Sequence, residues 1–256
     1  MKHINTRDRI LSILVLLGAF GQILAAATIT PESFNSDTIN SLLIYTQPAP
    51  FIFSIWGLIY ALCVVFAIYQ AIPSRNSEYL VFARPYVLSA FIGTSLWLWF
   101  AVQETGLLWV TAPLLVAIAY VLYKAIMFQR GSVQGKNSWE RLASTYSLYP
   151  FAAWTLIASG VNIHSMLVQY GIISNVFLNV FIALTLLIAV FVFTVMVLRA
   201  INISPWYGLV FVWATLGIVI ANIIDPNGAW LIAVAAGILG LYVAGTLISA
   251  KILRIK

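Results

Sequence analysis

Long apolar stretches separated by short polar gaps dominate the pattern of residues along the chain. A membrane-spanning helix needs about 20 mostly apolar residues, and eight stretches qualify: about 10–30, 49–71, 85–103, 106–127, 142–163, 170–198, 204–223 and 229–250. These runs are continuously apolar, whereas the strands of a membrane β-barrel alternate at every second residue. The pattern therefore predicts an all-α, polytopic membrane helix bundle of about eight transmembrane helices.

The composition agrees with this prediction and excludes a soluble domain. Hydrophobic residues make up 62% of the 256 residues and charged residues 8%, whereas soluble domains contain about 45–50% apolar and about 25% charged residues. The net charge of +6 does not indicate nucleic acid as a partner, because the basic residues lie between the apolar runs. The single cysteine, Cys63, excludes an internal disulfide.

The charged residues are sorted between alternate gaps. The termini and the second, fourth and sixth gaps hold every basic residue: Lys2, Arg7, Arg9, Arg75, Arg84, Lys124, Arg130, Lys136, Arg141, Arg199, Lys251, Arg254 and Lys256. The odd gaps hold acidic residues and no Lys or Arg. By the positive-inside rule, both termini are predicted to be cytoplasmic. Residues 31–48, 104–105, 164–169 and 224–228 are then predicted to lie outside.

A second interpretation of the first apolar stretch remains open. Met1–Arg9 could form the charged region of a signal peptide, with Ala25-Ala26-Ala27 as its cleavage site. The apolar run of about twenty residues is long for a signal peptide. This length favours a retained first helix.

Few residues in the predicted spans could carry chemistry. No charged residue lies at the centre of a span, which argues against ion or proton coupling. The two histidines, His3 in the N-terminal tail and His164 at the outer end of a span, are not clustered with other metal ligands. No phosphate-binding loop, hydrolase elbow or zinc-binding helix motif is present. We therefore expect no catalytic residues and no metal site.

Aromatic side chains are abundant instead. Of the nine tryptophans, four lie near span ends, where membrane proteins place interfacial aromatic belts: Trp109, Trp139, Trp206 and Trp230. The other five lie deeper in the spans: Trp56, Trp97, Trp99, Trp154 and Trp213. A buried indole N–H requires an acceptor, so these positions indicate nearby polar groups or a polar cavity.

Residues 48–60 resemble the second helix of the TspO/MBR family, the tryptophan-rich sensory proteins related to the translocator protein. The family pattern is a proline, a tryptophan eight residues later, and a leucine-tyrosine pair that ends four residues after the tryptophan. Pro48, Trp56 and Tyr60 match this pattern, while Ile59 replaces the leucine.

Residues 149–162 resemble the family's fifth helix, which has the pattern P-Y-L-x-W-x-x-F-A-x-x-L-N. Pro150, Trp154, Ala158 and Asn162 align with it without a gap. This match is the more specific of the two.

The third apolar stretch is similar to the family's third helix, L-N-x-x-W-S-x-x-F-F, through Trp97, although the asparagine is missing. The resemblance covers residues 8–163, five spans in the family's order. We therefore predict a TspO-like five-helix bundle over residues 1–163. Residues 164–256 are expected to lie outside the resemblance and to add three transmembrane helices packed on the bundle, so that the chain is an enlarged relative.

Helical spacing places the matched residues on shared faces. Trp56 and Tyr60 are four residues apart on one helix, and Trp154, Ala158 and Asn162 repeat the same interval on another. Where these faces meet, they would form an aromatic-walled pocket for a flat, mostly apolar molecule. The predicted ligand-binding residues are Trp56, Tyr60, Trp97, Trp154, Ala158 and Asn162. The alternative is that the tryptophans only fill the bundle and that Asn162 bridges two helices.

The resemblance implies ligands of the porphyrin or sterol type. It favours a membrane sensor or carrier for such a flat hydrophobic compound, with the loop at 31–48 capping the mouth of the pocket. A permease or transporter component for a small neutral or hydrophobic substrate, without ion coupling, is the alternative, suggested by the three added spans. The resemblance also allows breakdown of a bound porphyrin, although we do not expect an enzyme.

The expected partners follow from these predictions. They are the lipid bilayer and a hydrophobic small-molecule ligand, with no nucleic acid and with a homodimer left open. No cofactor is expected apart from a porphyrin bound as ligand. We expect the protein in a bacterial cell membrane.

Overall fold

Eight α-helices account for most of the residues that the computed structural model describes, which are 5–28, 44–72, 77–102, 107–132 and 138–253. They are α1 (Thr6–Ala27), α2 (Ile55–Ala71), α3 (Glu78–Ala101), α4 (Leu108–Ser132), α5 (Ser138–Gln169), α6 (Val176–Ala200), α7 (Pro205–Ile224) and α8 (Trp230–Leu253). A short 3₁₀ helix, Pro50–Ser54, precedes α2. All eight regions are long and apolar enough to span a membrane, and the described residues contain no strand. The predicted all-α, eight-helix fold is confirmed.

One predicted loop is wrong. Residues 164–169 were expected to form a gap between two spans, but α5 continues through them to Gln169. The helix continues because His164 and Ser165 are buried in the bundle and hydrogen-bonded, so two polar residues that resemble a loop in sequence are interior. The connection to α6 is residues 170–175. Of the other segments predicted outside, 31–43 and 104–105 fall outside the described residues.

The first five helices form a closed ring. The helix α1 packs against α2 and α3, α3 packs against α4, α4 against α5, and α5 returns to α2. Fully buried side chains such as Phe66, Phe91 and Phe151 fill the space between them. The ring therefore brings α2, α3 and α5, which carry the predicted ligand-binding residues, around one interior.

A buried arginine ties three helices together at one end of the ring. Arg84 was expected in a gap between spans, but it lies in the second turn of α3, which begins at Glu78. Its Nε donates to Gln70 Oε1 and its Nη2 to the Gln70 carbonyl, both at 2.9 Å. The Gln70 Nε2 in turn donates to the Ser12 carbonyl of α1 at 2.9 Å. The charge is tolerated inside a span because these hydrogen bonds replace its hydration.

The last three helices pack on the outside of the ring. Both α6 and α7 contact α5, and α8 packs on α7 and α6. A smaller apolar core lies among these helices: Tyr45, Ala183, Leu187, Ile218, Ile232 and Ala236. The predicted boundary between two parts at residue 163 falls within α5, and that division stays a prediction.

Residues 44–54, which we call the capping segment, are attached to α7 by hydrogen bonds. The Ala49 N–H donates to the Gly217 carbonyl at 3.0 Å, and Trp213 Nε1 donates to the Ile52 carbonyl at 3.1 Å. A Cβ at position 217 would collide with Ile52 and Pro48. Glycine is therefore required at 217 for the segment to approach the helix backbone.

Asn222 completes this attachment, and its removal should destabilise the protein. Its Nδ2 donates to the Tyr45 carbonyl at 2.8 Å, and its Oδ1 accepts from the Ala229 N–H at 3.1 Å. Because Asn222→Ala would leave these buried groups without partners, we expect the free energy of unfolding to fall by about 1–3 kcal/mol. Thermal unfolding in detergent measures this. The exposed Asn227 provides the control Asn227→Ala, and equal stability of all three proteins would contradict the assignment.

Thiol labelling tests the predicted orientation. Cys63 is the single cysteine of the sequence, and it is fully buried. The substitution Cys63→Ala therefore gives a protein without thiols, in which single cysteines can be placed at exposed positions. With an impermeant reagent on intact cells, we expect labelling of Asn227→Cys between α7 and α8 and none of Lys251→Cys in α8 until the membrane is opened. The reverse pattern would overturn the orientation derived from the basic residues.

Candidate functional site

Five aromatic side chains from α2, α3 and α5 meet inside the ring, and we call them the aromatic cluster: Trp56, Tyr60, Trp97, Phe151 and Trp154. The Trp56 indole is at its centre. It stacks on Tyr60 and Trp97, with ring centroids 5.3 Å and 5.6 Å away. It meets Phe151 and Trp154 edge to face at 6.3 Å and 6.1 Å. These distances and angles are those of favourable aromatic pairs.

The structure brings the six sequence-predicted residues together. Asn162, on the same face of α5 as Trp154 and Ala158, accepts a hydrogen bond from Trp97 Nε1 at 3.4 Å. Its Nδ2 donates to the Ala158 carbonyl at 3.1 Å. Asn162 thus bridges α5 and α3, as the packing alternative expected, although the bond is longer than the usual 2.7–3.2 Å.

The rings fill the space between the helices. Trp154 is 1% exposed and Trp56 is 9% exposed, and the two indoles touch instead of facing each other across an open pocket. The expectation that Trp99 lies within the bundle is wrong, because its side chain is exposed on the outer surface of α3. Two residues earlier in the same helix, Trp97 points inward.

Buried polar atoms without partners lie at this cluster. Among the described residues, Tyr60 Oη and Trp154 Nε1 have no hydrogen-bond partner. The amide of Gln22, fully buried on α1, lies beside the Cys63 thiol. Each unpaired group costs about 1–3 kcal/mol, and native structures contain few of them. Within the described part of the chain, the aromatic cluster therefore has two buried donors, Tyr60 Oη and Trp154 Nε1, that no protein group satisfies.

The capping segment covers the cluster. Phe53, in the 3₁₀ helix, meets Trp154 edge to face at 5.7 Å, while Phe51 meets Trp213 of α7 in the same manner at 5.8 Å. Trp213 was expected among the deep tryptophans, and its N–H acceptor is the capping segment itself. The predicted cap at 31–48 is described only from residue 44 onward.

A buried histidine links the capping segment to α5 and α6. The Oδ1 of Asn179 on α6 accepts from His164 Nε2 at 2.6 Å, which leaves Nδ1 to accept from the Thr46 hydroxyl at 2.9 Å. Both ring nitrogens are therefore occupied by protein partners. Within the described ranges, no group of three His, Cys, Asp or Glu side chains could hold a metal ion.

Sequence reasoning missed several residues of this site. Gln22, His164 and Asn179 are isolated polar residues within apolar runs, and this isolation was the available signal. The partners of His164, by contrast, lie on the capping segment and on α6 and could be found only from the fold.

A cavity of about 310 Å³ lies elsewhere, between the C-terminal end of α4, the first turns of α5 and the turn that joins α6 to α7. Gln129, Arg130 and Arg141 line one part of it, and Tyr146 and Trp206 line another. It is toward the opposite end of α5 from Asn162, and none of the aromatic cluster lines it.

Comparison with known proteins gives a family assignment. A search of the curated proteins and of the solved structures found no match. A family model described as TSPO-like protein matches residues 9–248. This match includes α6, α7 and most of α8, which corrects the expectation that the last three helices lie outside the resemblance. The chain, in whose described part five helices form a ring around a buried aromatic cluster, belongs to the TSPO-like protein family, and this membership implies a membrane protein that binds small hydrophobic ligands.

Proposed function

We propose that the protein is a membrane sensor or carrier for a flat hydrophobic molecule, such as a porphyrin or a sterol-like compound. In this proposal the ligand binds at the aromatic cluster, with Ala158 and Asn162 at its edge. Indole and phenol faces supply affinity by stacking, and a small number of polar groups set the orientation of the ligand.

The unpaired polar atoms beside the stacked rings carry this proposal. Tyr60 Oη and Trp154 Nε1 are both buried without a partner, and each belongs to a ring in contact with Trp56. An arrangement used only for packing would be more stable with apolar groups at these positions. A flat ligand that carries oxygen or nitrogen acceptors would satisfy both groups while it stacks on the rings.

The weakest contact of the cluster suggests where the ligand inserts. The hydrogen bond from Trp97 Nε1 to Asn162 Oδ1 is long, at 3.4 Å, so it costs little to break. Rotation of the Trp97 ring away from Trp56 would free one face of the Trp56 indole and the Asn162 amide together. The ligand would then replace Trp97 as the stacking partner of Trp56.

The capping segment defines the other side of the proposed site. Phe53 rests on the Trp154 ring, and the segment is held by Gly217, Trp213 and Asn222 of α7. The last three helices thereby fix the cap over the cluster. In this proposal, α6–α8 retain the ligand by holding the capping segment in place, and their presence can be explained without a transport function.

Loss of the two central indoles should weaken porphyrin binding at least tenfold. An aromatic pair contributes about 0.5–1.5 kcal/mol beyond burial, and a tenfold change in affinity corresponds to about 1.4 kcal/mol. The measurement is a porphyrin titration by fluorescence quenching in detergent, with Trp56→Ala/Trp154→Ala against the wild type. If the double variant does not fold, Trp154→Phe keeps a ring while removing the unpaired N–H.

The matched control is Trp109→Ala/Trp230→Ala, since these indoles are 59% and 65% exposed on the surface of the bundle. Its affinity should equal that of the wild type. Equal affinity of all variants would leave the cluster as packing only. Flux of the porphyrin across proteoliposomes would favour the permease alternative, whereas binding without flux supports the sensor.

A further inference from the structure

The cavity at the opposite end of α5 has the features of an anion-binding site. Two arginines line it, Arg130 in the last turn of α4 and Arg141 in the first turn of α5. No acidic residue is among its lining residues. The acidic neighbour of Arg141, Glu140, is buried and directed toward Ser77. The positive charge of the cavity is therefore not compensated from within its wall.

Both guanidinium groups are available to a ligand. Arg130 and Arg141 are exposed, and in the part of the chain that the structure describes neither side chain has an ion-pair partner. Arginine presents several N–H donors in a planar fork that fits a phosphate group. Two such forks in one cavity favour a phosphate-bearing ligand over a carboxylate-bearing or neutral one.

The same cavity also contains a buried hydrogen-bond acceptor, the side chain of Gln129. Gln129 lines the same cavity, is 3% exposed and donates through Nε2 to Ser144 Oγ. Its Oε1 has no partner among the described residues. An amide oxygen only accepts hydrogen bonds. The partner of Gln129 Oε1 would therefore be a ligand group that donates a hydrogen bond, such as a hydroxyl.

The remaining wall of the cavity is aromatic and continues onto the lipid-facing surface. The rings of Tyr146 and Trp206 lie 4.4 Å apart, and Trp206 follows Pro205 at the start of α7. Leu209, one turn further along α7, is exposed. Tyr and Trp at such positions are typical of the boundary between headgroups and hydrocarbon. A ligand in this cavity can therefore extend an apolar tail along α7.

We infer that this cavity binds the headgroup of an anionic phospholipid whose headgroup carries hydroxyl groups, as in phosphatidylglycerol. Arg130 and Arg141 hold the phosphate, Gln129 Oε1 accepts from a headgroup hydroxyl, and the acyl chains lie beside Trp206 and Leu209. The site lies on the side that carries the basic residues, which the charge pattern predicts to be cytoplasmic. It is independent of the ligand proposed for the aromatic cluster.

Lipid binding to the full chain tests the inference. Purified protein is placed in phosphatidylcholine nanodiscs, and the affinity for fluorescent phosphatidylglycerol is measured for the wild type and for Arg130→Gln/Arg141→Gln. We expect at least a tenfold loss in the variant, because two charge-assisted hydrogen bonds to the phosphate are removed. The matched control is Arg199→Gln/Lys251→Gln, which removes the same charge from two exposed residues that do not line the cavity. It should bind like the wild type.

Each other outcome contradicts a stated part of the proposal. An equal loss in both double variants would indicate attraction to general surface charge, and no loss in either would exclude the site. Displacement of the lipid by inorganic phosphate at millimolar concentration would identify a soluble phosphate as the occupant. Equal affinity for phosphatidic acid, which has no glycerol headgroup, would contradict the role of Gln129. Unchanged thermal transitions of the variants confirm that they are folded.

Discussion

Polar groups inside a bilayer must find partners within the protein, because no water reaches them there. The capping segment meets this requirement through α7. Its Ala49 N–H reaches the carbonyl of Gly217, which is seven residues, or about 10 Å at 1.5 Å per residue, from the last residue of that helix. Without α7, the Ala49 N–H and the carbonyls of Tyr45 and Ile52 would lose these hydrogen-bond partners. The position of Phe53 over Trp154 thus depends on the last three helices.

The same requirement divides the buried polar residues into two groups. Arg84, His164 and Asn222 are buried and have their hydrogen-bonding groups engaged, so each fixes helices in place. Tyr60 and Trp154 are buried and have unpaired groups. Because unpaired groups are costly in a membrane, their presence on two rings that both contact Trp56 supports a ligand at that place.

Much of this architecture could be predicted from the sequence because it depends on local properties. Apolar length alone defined the eight helices, and spacing at four-residue intervals placed Trp154 and Asn162 on one face of α5. The parts that failed depend on tertiary contacts. Residues 164–169 belong to α5 because His164 has partners on the capping segment and α6. Arg84 lies inside α3, and not in the gap before it, because its guanidinium group is hydrogen-bonded to Gln70 of α2. The cavity beside Arg130 and Arg141 exists only where three helix ends converge.

The most direct test of this account removes one unpaired hydroxyl and nothing else. Tyr60→Phe keeps the ring stacked on Trp56. As the control, Tyr79→Phe removes another buried hydroxyl, which lies beside Ser144. Tyr79 is 18 residues before Trp97, about 27 Å along α3. Tyr60→Phe should leave the thermal stability of the ligand-free protein unchanged or raised, since a buried group without a partner is removed. Only Tyr60→Phe should weaken porphyrin binding, by about threefold to tenfold, the loss of one hydrogen bond. Equal porphyrin affinity of Tyr60→Phe, Tyr79→Phe and the wild type would contradict the claim that the unpaired groups of the cluster mark the ligand site.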